Sequence, residues 1–100
     1  MRNTLLITLL LAVNTIIYGQ NELSGNVTDV NSAEPVFSAN VYFPQLEKGS
    51  MSDENGNFTI DNLPNGTYKL IVSSIGYKTM NLEVKLPSEN VSIQLTPSAI

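Results

Sequence analysis

Three oxygen-bearing side chains at alternate positions, Asp53, Asn55 and Asn57, have the spacing of the first ligands in a calcium-binding loop. Such a loop needs glycine at its sixth position, where the chain turns sharply, and Phe58 stands there instead. The stretch Asp53-Glu54-Asn55-Gly56 is also typical of a tight turn in which glycine takes positive φ. We therefore interpret this segment as a structural turn and assign no metal ligands.

Four acidic residues, Asp29, Glu34, Asp53 and Asp61, could supply the paired carboxylates that glycoside hydrolysis requires. All of them fall at expected turns or strand ends, where acidic side chains serve as solvated caps. The chain has no histidine and no cysteine, so it lacks the commonest general base, the commonest metal ligand and any thiolate or disulfide. We therefore predict no enzymatic activity, no catalytic residue and no cofactor.

Aromatic side chains suggest two further sites. Tyr77, Tyr42 and Phe43 could form a platform on which a sugar stacks, but a chain with only four tyrosines and three phenylalanines needs them for its core, so we expect packing and keep the platform as the alternative. Tyr68 lies two residues after Gly66, and this spacing resembles a tyrosine corner, in which the hydroxyl bonds to upstream backbone. Ligand stacking is the alternative for Tyr68.

Asparagine occurs four times in the triplet that accepts N-linked glycans, at Asn26, Asn57, Asn65 and Asn90. The triplets would matter only in a eukaryotic secretory pathway. In a bacterium they reflect only the composition of strands and turns.

Net charge limits the partners. From Gln20 to Ile100 the chain has four lysines and nine acidic residues, which gives −5 (4 − 9), because Arg2 is the only arginine. A surface of this sign repels phosphate backbones and anionic lipid heads. We therefore expect neither nucleic acid nor an anionic membrane surface as a partner.

Apolar residues after position 20 alternate with a period of two, which predicts β-strands and no sustained helix. The clearest case is Thr79 to Leu86, and Asn90 to Thr96 repeats the pattern. Tyr68 to Ile75 is more continuously apolar, as expected of a central strand covered on much of both faces. The other residues predicted to face inward are Leu23, Val27, Ala39, Val41, Phe43, Phe58 and Ile60.

Turn residues separate these runs at intervals of about 8–12 residues, which favours a β-sandwich or a small barrel. Leu63-Pro64-Asn65-Gly66 is a second clear turn, and Lys48-Gly49-Ser50 is a weaker one. Pro87-Ser88-Glu89 separates the last two strands, which we predict to form a hairpin.

The amino end has the three parts of a secretory signal: the basic residue Arg2, the apolar run Leu5–Val13 and the small residue Gly19. The apolar run is much shorter than the ~20 residues that span a bilayer. We therefore predict a helical signal peptide over residues 1–19, a β-sandwich over 20–96 and the start of a linker or tail over 97–100. Because cysteine is lacking, we expect no lipid anchor.

Several sequence motifs follow one another in an order that is typical of one family. Gly25-x-Val27-x-Asp29 and Glu34-Pro35-Val36-x-x-Ala39-x-Val41 come first, Ser52 to Ile60 follows, and Leu63 to Leu70 and Ser73 to Tyr77 complete the series. Over residues 22–95 the chain resembles the carboxypeptidase-regulatory-like domains. The resemblance implies a transthyretin-like (prealbumin-like) Greek-key sandwich of about seven strands. An immunoglobulin-like sandwich is the alternative fold, which the lack of tryptophan disfavours.

The same resemblance implies a role. In secreted bacterial proteins such domains commonly follow the signal peptide and precede the plug and barrel of TonB-dependent outer-membrane receptors. The expected function is thus a non-catalytic accessory or docking domain on the periplasmic side of the outer membrane, with the rest of the receptor or other proteins as partners. The alternatives are a secreted binding module, freestanding or attached to an enzyme, with carbohydrate as the candidate ligand, and a regulatory domain of an exported peptidase.

Overall fold

The computed structural model describes residues 21–99, which contain seven β-strands and no helix. The strands are β1 (Asn21–Asp29), β2 (Asn40–Phe43), β3 (Lys48–Met51), β4 (Asn57–Leu63), β5 (Gly66–Ser73), β6 (Met80–Leu86) and β7 (Val91–Leu95). The predicted all-β sandwich of about seven strands is confirmed. The predicted signal peptide and its helix lie outside the described residues.

The strands form two sheets, one with the order β4-β1-β7 and the other with the order β3-β2-β5-β6. All neighbouring pairs are antiparallel except β1 and β7, which run parallel from Gly25 and Val91 to Asp29 and Leu95. Consecutive strands change sheets at four points in the chain, so both sheets contain strands from distant parts of the sequence.

Fifteen apolar side chains fill the space between the two sheets. Most of them come from alternate positions of the strands, because successive side chains of a strand point to opposite faces, and Val36 and Ala39 come from the segment between β1 and β2. Leu23, Val27, Val41, Phe43 and Leu95 are fully buried. The predicted inward faces of β1, β2, β4 and β7 are therefore confirmed.

The predicted hairpin between the last two strands is wrong. β6 pairs with β5 in the four-stranded sheet, whereas β7 pairs with β1 in the other sheet. The turn that begins at Pro87 therefore crosses from one sheet to the other. Alternation of apolar residues gives each strand a buried face but does not determine its neighbour, and either arrangement would place Leu86 and Ile93 in the core.

The weak turn predicted at Lys48-Gly49-Ser50 is also wrong, because these residues belong to β3 and pair with β2. The turn lies earlier, at residues 44–47, and Glu47 has φ 54° there. Gly49 is required for packing: a Cβ at this position would lie 2.9 Å from Cδ1 of Tyr42. Glycine thus leaves room for an aromatic ring on the neighbouring strand.

The continuous apolar run from Tyr68 to Ile75 is only partly buried. Its strand, β5, lies between β2 and β6 as predicted, and Leu70 and Val72 are fully buried. Ile71, on the outer face, is half-buried. Ile75 is 99% exposed because the strand has already ended at Ser73 and the chain has entered a loop.

Hydrogen bonds hold residues 96–98 against the loop between β5 and β6. Lys78 donates its amide to the carbonyl of Thr96 at 2.8 Å, and Ser98 donates to the carbonyl of Gly76 at 2.9 Å.

Within the described residues, no helix has the length and hydrophobicity needed to cross a membrane.

Candidate functional site

The turn at Asp53–Gly56 is structural. One carboxylate oxygen of Asp53 accepts hydrogen bonds from the amides of Asn55 and Asn57, each at 2.9 Å. Gly56 has φ 80°, a conformation that glycine adopts without penalty, and its amide donates to the carbonyl of Asp53. The oxygen that could bind calcium therefore caps backbone groups, as the interpretation of a turn requires. Across residues 21–99 no three acidic side chains converge on a metal position.

The predicted tyrosine corner is confirmed. The hydroxyl of Tyr68 donates to the carbonyl of Asn65 at 2.8 Å. Gly66 makes this geometry possible, because a Cβ there would lie 2.8 Å from the Tyr68 hydroxyl oxygen and φ is 139°. The ring of Tyr68 meets Phe43 edge to face with centroids 6.2 Å apart, so its role is packing.

The alternative of a sugar-stacking platform is not assembled. Phe43 is fully buried in the core, whereas Tyr42 points to the outer face of the same strand beside Gly49. Adjacent residues of one strand face opposite sides of the sheet and cannot share one surface. Tyr77 lies in the loop after β5 and packs against the core, as expected.

Asp29 and Tyr77 form a polar contact that sequence reasoning did not predict. One oxygen of Asp29 accepts the amides of Asn31 and Ser32 at 2.7 and 3.0 Å, and the other accepts the hydroxyl of Tyr77 at 2.8 Å. These bonds, led by that from the Ser32 amide, lower the pKa of Asp29. The hydrogen bond to Asp29 is also the main reason why the pKa of Tyr77 is raised. The contact ties the end of β1 to the loop between β5 and β6.

The candidate carboxylates have different structural positions. Asp29 and Asp53 cap separate turns, and Glu34 is exposed near the end of β1, where its carbonyl oxygen accepts the amide of Asp29 at 2.8 Å. Asp61 lies beside Glu22, a residue that the sequence reasoning did not single out. A hydrogen bond and charge repulsion from Asp61 raise the pKa of Glu22. Both residues of this pair are exposed on neighbouring strands, near an irregularity in β1 between Asn21 and Leu23.

Three of the four asparagine triplets lie on one surface, the outer face of the three-stranded sheet. Asn26 is directly opposite Asn57 on β4 and opposite Ser92 on β7. We call this surface the polar face, which comprises Ser24, Asn26, Thr28, Asn57, Thr59, Asn90, Ser92 and Gln94. An open groove of about 420 Å³ lies across these residues except Thr28 and Gln94, and Gly25, Phe58 and Val91 also line it. The triplets arise because outward positions two residues apart are both small and polar.

We expect the Asp29→Asn variant to lose stability at pH 7 and to lose much less at pH 2.5. A carboxyl whose pKa is lowered on folding stabilises the native state above its unfolded pKa of about 3.9, and this contribution disappears as the pH falls through the folded pKa. Chemical denaturation of both proteins at the two pH values measures the difference. Tyr77→Phe should remove part of the same dependence, since Asp29 keeps its two backbone donors. Equal losses at both pH values would contradict the assignment.

Solved structures with the same fold share little sequence with this chain. Two chains from mutant type II cohesin–X-dockerin complexes of Acetivibrio cellulolyticus match with TM-scores of 0.66 and 0.68, each at 19% identity, over 75% and 77% of this chain and 56% and 58% of theirs. A mutant of the shaft pilin SpaA from Lactobacillus rhamnosus GG matches at 0.62 and 15% identity, over 81% of this chain and 47% of its own. The chain thus spans about half the length of these proteins. No curated protein sequence matches it.

A family model gives the more specific result. The model of the CarboxypepD_reg-like domain matches residues 23–100, which includes every described strand except the first residues of β1. Gly25, Gly66 and Tyr68, which the sequence motifs contain, each have a packing or hydrogen-bonding role in the structure. The chain therefore belongs to the CarboxypepD_reg-like domain family.

Proposed function

We propose that this domain is a non-catalytic docking module at the amino end of a TonB-dependent outer-membrane nutrient receptor, exposed to the periplasm. The observation that carries the proposal is the parallel pairing of the first and last strands, from Gly25 beside Val91 to Asp29 beside Leu95. The chain therefore enters at one end of the sandwich and leaves at the other. With nine residues in β1, the two ends are about 30 Å apart.

This geometry suits a spacer placed in line between two parts of a longer chain. The entry end is fixed by Asn21, whose side-chain amide donates to the carbonyl of Leu63 at 2.9 Å and to the side chain of Asn65 at 2.7 Å. The exit end is fixed by the bonds of Thr96 and Ser98 to the loop between β5 and β6. Both junctions are thus held to the sandwich, so a force or a displacement at one end is transmitted to the other.

Protein contacts would use the sheet edges and loops, because the described residues contain no apolar cleft between the sheets that a small molecule could enter. The structural neighbours agree with this kind of use. Two of them were crystallised in a cohesin–X-dockerin complex and a third is a pilin subunit. These likenesses concern the fold, and the docking role of the present chain is our proposal.

Cell fractionation tests the proposal. An antibody against the domain should detect a protein of the outer-membrane fraction that is much larger than 10.9 kDa. Protease added to intact cells should leave the epitope untouched, and protease added after permeabilisation of the outer membrane should remove it. Detection of the epitope in the culture medium, or on a chain of about the size of the domain itself, would refute the receptor assignment.

A secreted carbohydrate-binding module is the second candidate, and the polar face favours it. The eight residues of this surface carry hydroxyl or amide groups, and none of them is charged. Such a surface suits hydrogen bonding to a neutral polyhydroxylated ligand. Calorimetric titration of neutral glycans against the purified protein tests it. Heat of binding that disappears in Asn26→Ala would support the module, and flat traces across a broad panel would exclude it.

A further inference from the structure

β6 is an edge strand with an open side. It pairs with β5 along Met80–Leu86, and among residues 21–99 no strand pairs with its other edge. An unpaired edge presents a row of backbone donors and acceptors that can bind another strand. With seven residues, β6 is longer than the other edge strand of this sheet, β3, which has four.

The apolar face of β6 is incompletely covered. Val84 and Leu86 are buried, Leu82 is half-buried and Met80 is 37% exposed. The exposure increases along the strand away from Leu86. A further strand beside β6 would cover Leu82, which the sandwich itself leaves partly in contact with water.

Glu83 and Lys85 precede and follow the buried Val84 in β6. Both point to the outer face of the sheet, and they carry opposite charges. Charges on an edge strand usually prevent pairing, because a partner strand must accommodate them. Here the pattern is self-complementary. If a second β6 runs antiparallel with Val84 opposite its own copy, Glu83 lies opposite Lys85 of the second copy, and Lys85 lies opposite its Glu83.

Backbone geometry restricts the registers available to two such strands. The residues whose amides and carbonyls point to the free edge alternate along β6, and they must meet the corresponding residues of the second strand. Only pairings in which one residue of β6 lies opposite its own copy satisfy this condition, and we call that residue the centre of the pairing. A centre at Glu83 or at Lys85 would place like charges opposite each other, which is destabilising. Of these three central positions, the one at Val84 alone brings opposite charges together.

We propose that β6 pairs antiparallel with β6 of a second copy of this chain, in the register centred on Val84. The four-stranded sheets of the two copies then form one continuous sheet, and Leu82 of each copy lies opposite Leu86 of the other. A net charge of −5 on each copy (4 − 9 over residues 20–100) opposes association at long range, so we expect a weak dimer that forms at high concentration. This inference does not depend on the proposed function.

Sedimentation velocity from about 1 µM to about 1 mM measures the association of the protein purified after export. The wild-type protein should change from monomer to dimer within this range. The Glu83→Lys and Lys85→Glu variants each place like charges opposite one another twice per dimer, so each should raise the dissociation constant about tenfold or more. The double variant Glu83→Lys/Lys85→Glu restores both pairs and should associate as the wild type does.

Glu54→Lys and Lys48→Glu are the matched controls, since they change the net charge by the same amounts at exposed or half-exposed positions outside β6. They should alter association only slightly. Amide hydrogen exchange gives an independent readout: protection along β6 should increase with protein concentration. A wild-type protein that stays monomeric throughout the range, single variants that associate normally, or a double variant that does not recover would each overturn the proposal.

Discussion

The Gly25→Ala variant should lose about 3 kcal/mol of its free energy of unfolding, a large part of the stability of a domain of this size. Gly25 lies in β1, the central strand of its sheet, between Phe58 on β4 and Val91 on β7. A Cβ at this position would lie 2.7 Å from Cγ2 of Val91 and 2.8 Å from Cζ of Phe58, and still closer to the carbonyl oxygen of Val91. That carbonyl belongs to the neighbouring strand and cannot move without disturbing the pairing of β1 with β7.

Gly76→Ala is the matched control for this experiment. Gly76 has φ 87°, which is unfavourable for alanine, but no heavy atom lies within 4 Å of the position of its Cβ. Its replacement should therefore cost only the strain of a left-handed backbone, about 1–2 kcal/mol. Urea denaturation of the three proteins measures both losses. If Gly25→Ala were no more destabilising than Gly76→Ala, close approach of the side chains would not be the reason for glycine at position 25.

The two-residue alternation predicted the buried faces of the strands well, because every described strand except β3 contributes buried side chains to the core from one face. Val41, Phe58, Leu70 and Ile93, from four different strands, share the core as expected. Leu82 is only half-buried, because its strand lies at the edge of its sheet. Alternation indicates the direction of a side chain, and the depth of its burial depends on the neighbouring strands.

Strand neighbours could not be predicted in the same way. β6 and β7 are adjacent in the chain and have matching patterns, yet they belong to different sheets. The pairing of β7 with β1 depends on the close approach of Val91 to Gly25, residues that are far apart in the sequence. The presence of glycine in an alternating strand was the available signal, since such a residue often marks a close approach of the backbone.

The candidate site shows the same difference between local and distant contacts. The capping of the turn by Asp53 and the corner formed by Tyr68 depend on groups two to four residues away, and both were predictable. The contact of Tyr77 with Asp29 joins residues 48 positions apart, and only the three-dimensional structure reveals it. The sequence marked Asp29 as a candidate carboxylate and Tyr77 as a candidate stacking aromatic, and both end sequence motifs of the family, but nothing in it indicated that the two side chains meet.

Ser52 was missed for a similar reason, because the hydrogen-bond partners of its hydroxyl lie 13 and 16 residues away in the sequence. It is the one buried polar residue among those described, with 3% exposure. Its hydroxyl donates to the carbonyl of Val36 at 2.6 Å and accepts the amide of Ala39 at 2.8 Å. These two bonds hold the segment between β1 and β2 against the end of β3.

The Ser52→Ala variant should be destabilised by about 2–3 kcal/mol, because it leaves a buried donor and a buried acceptor without partners. Ser92→Ala, on the exposed side of β7, is the control and should change the free energy of unfolding by less than about 0.5 kcal/mol. Hydrogen exchange should also become faster at the Ala39 amide than at the amides of β5, since the lost bond is local to that segment. A loss as small as that of the control would mean that water replaces the hydroxyl, and the segment would then be held by the backbone bonds between Ala39 and Ser52 and between Ser38 and Ser52.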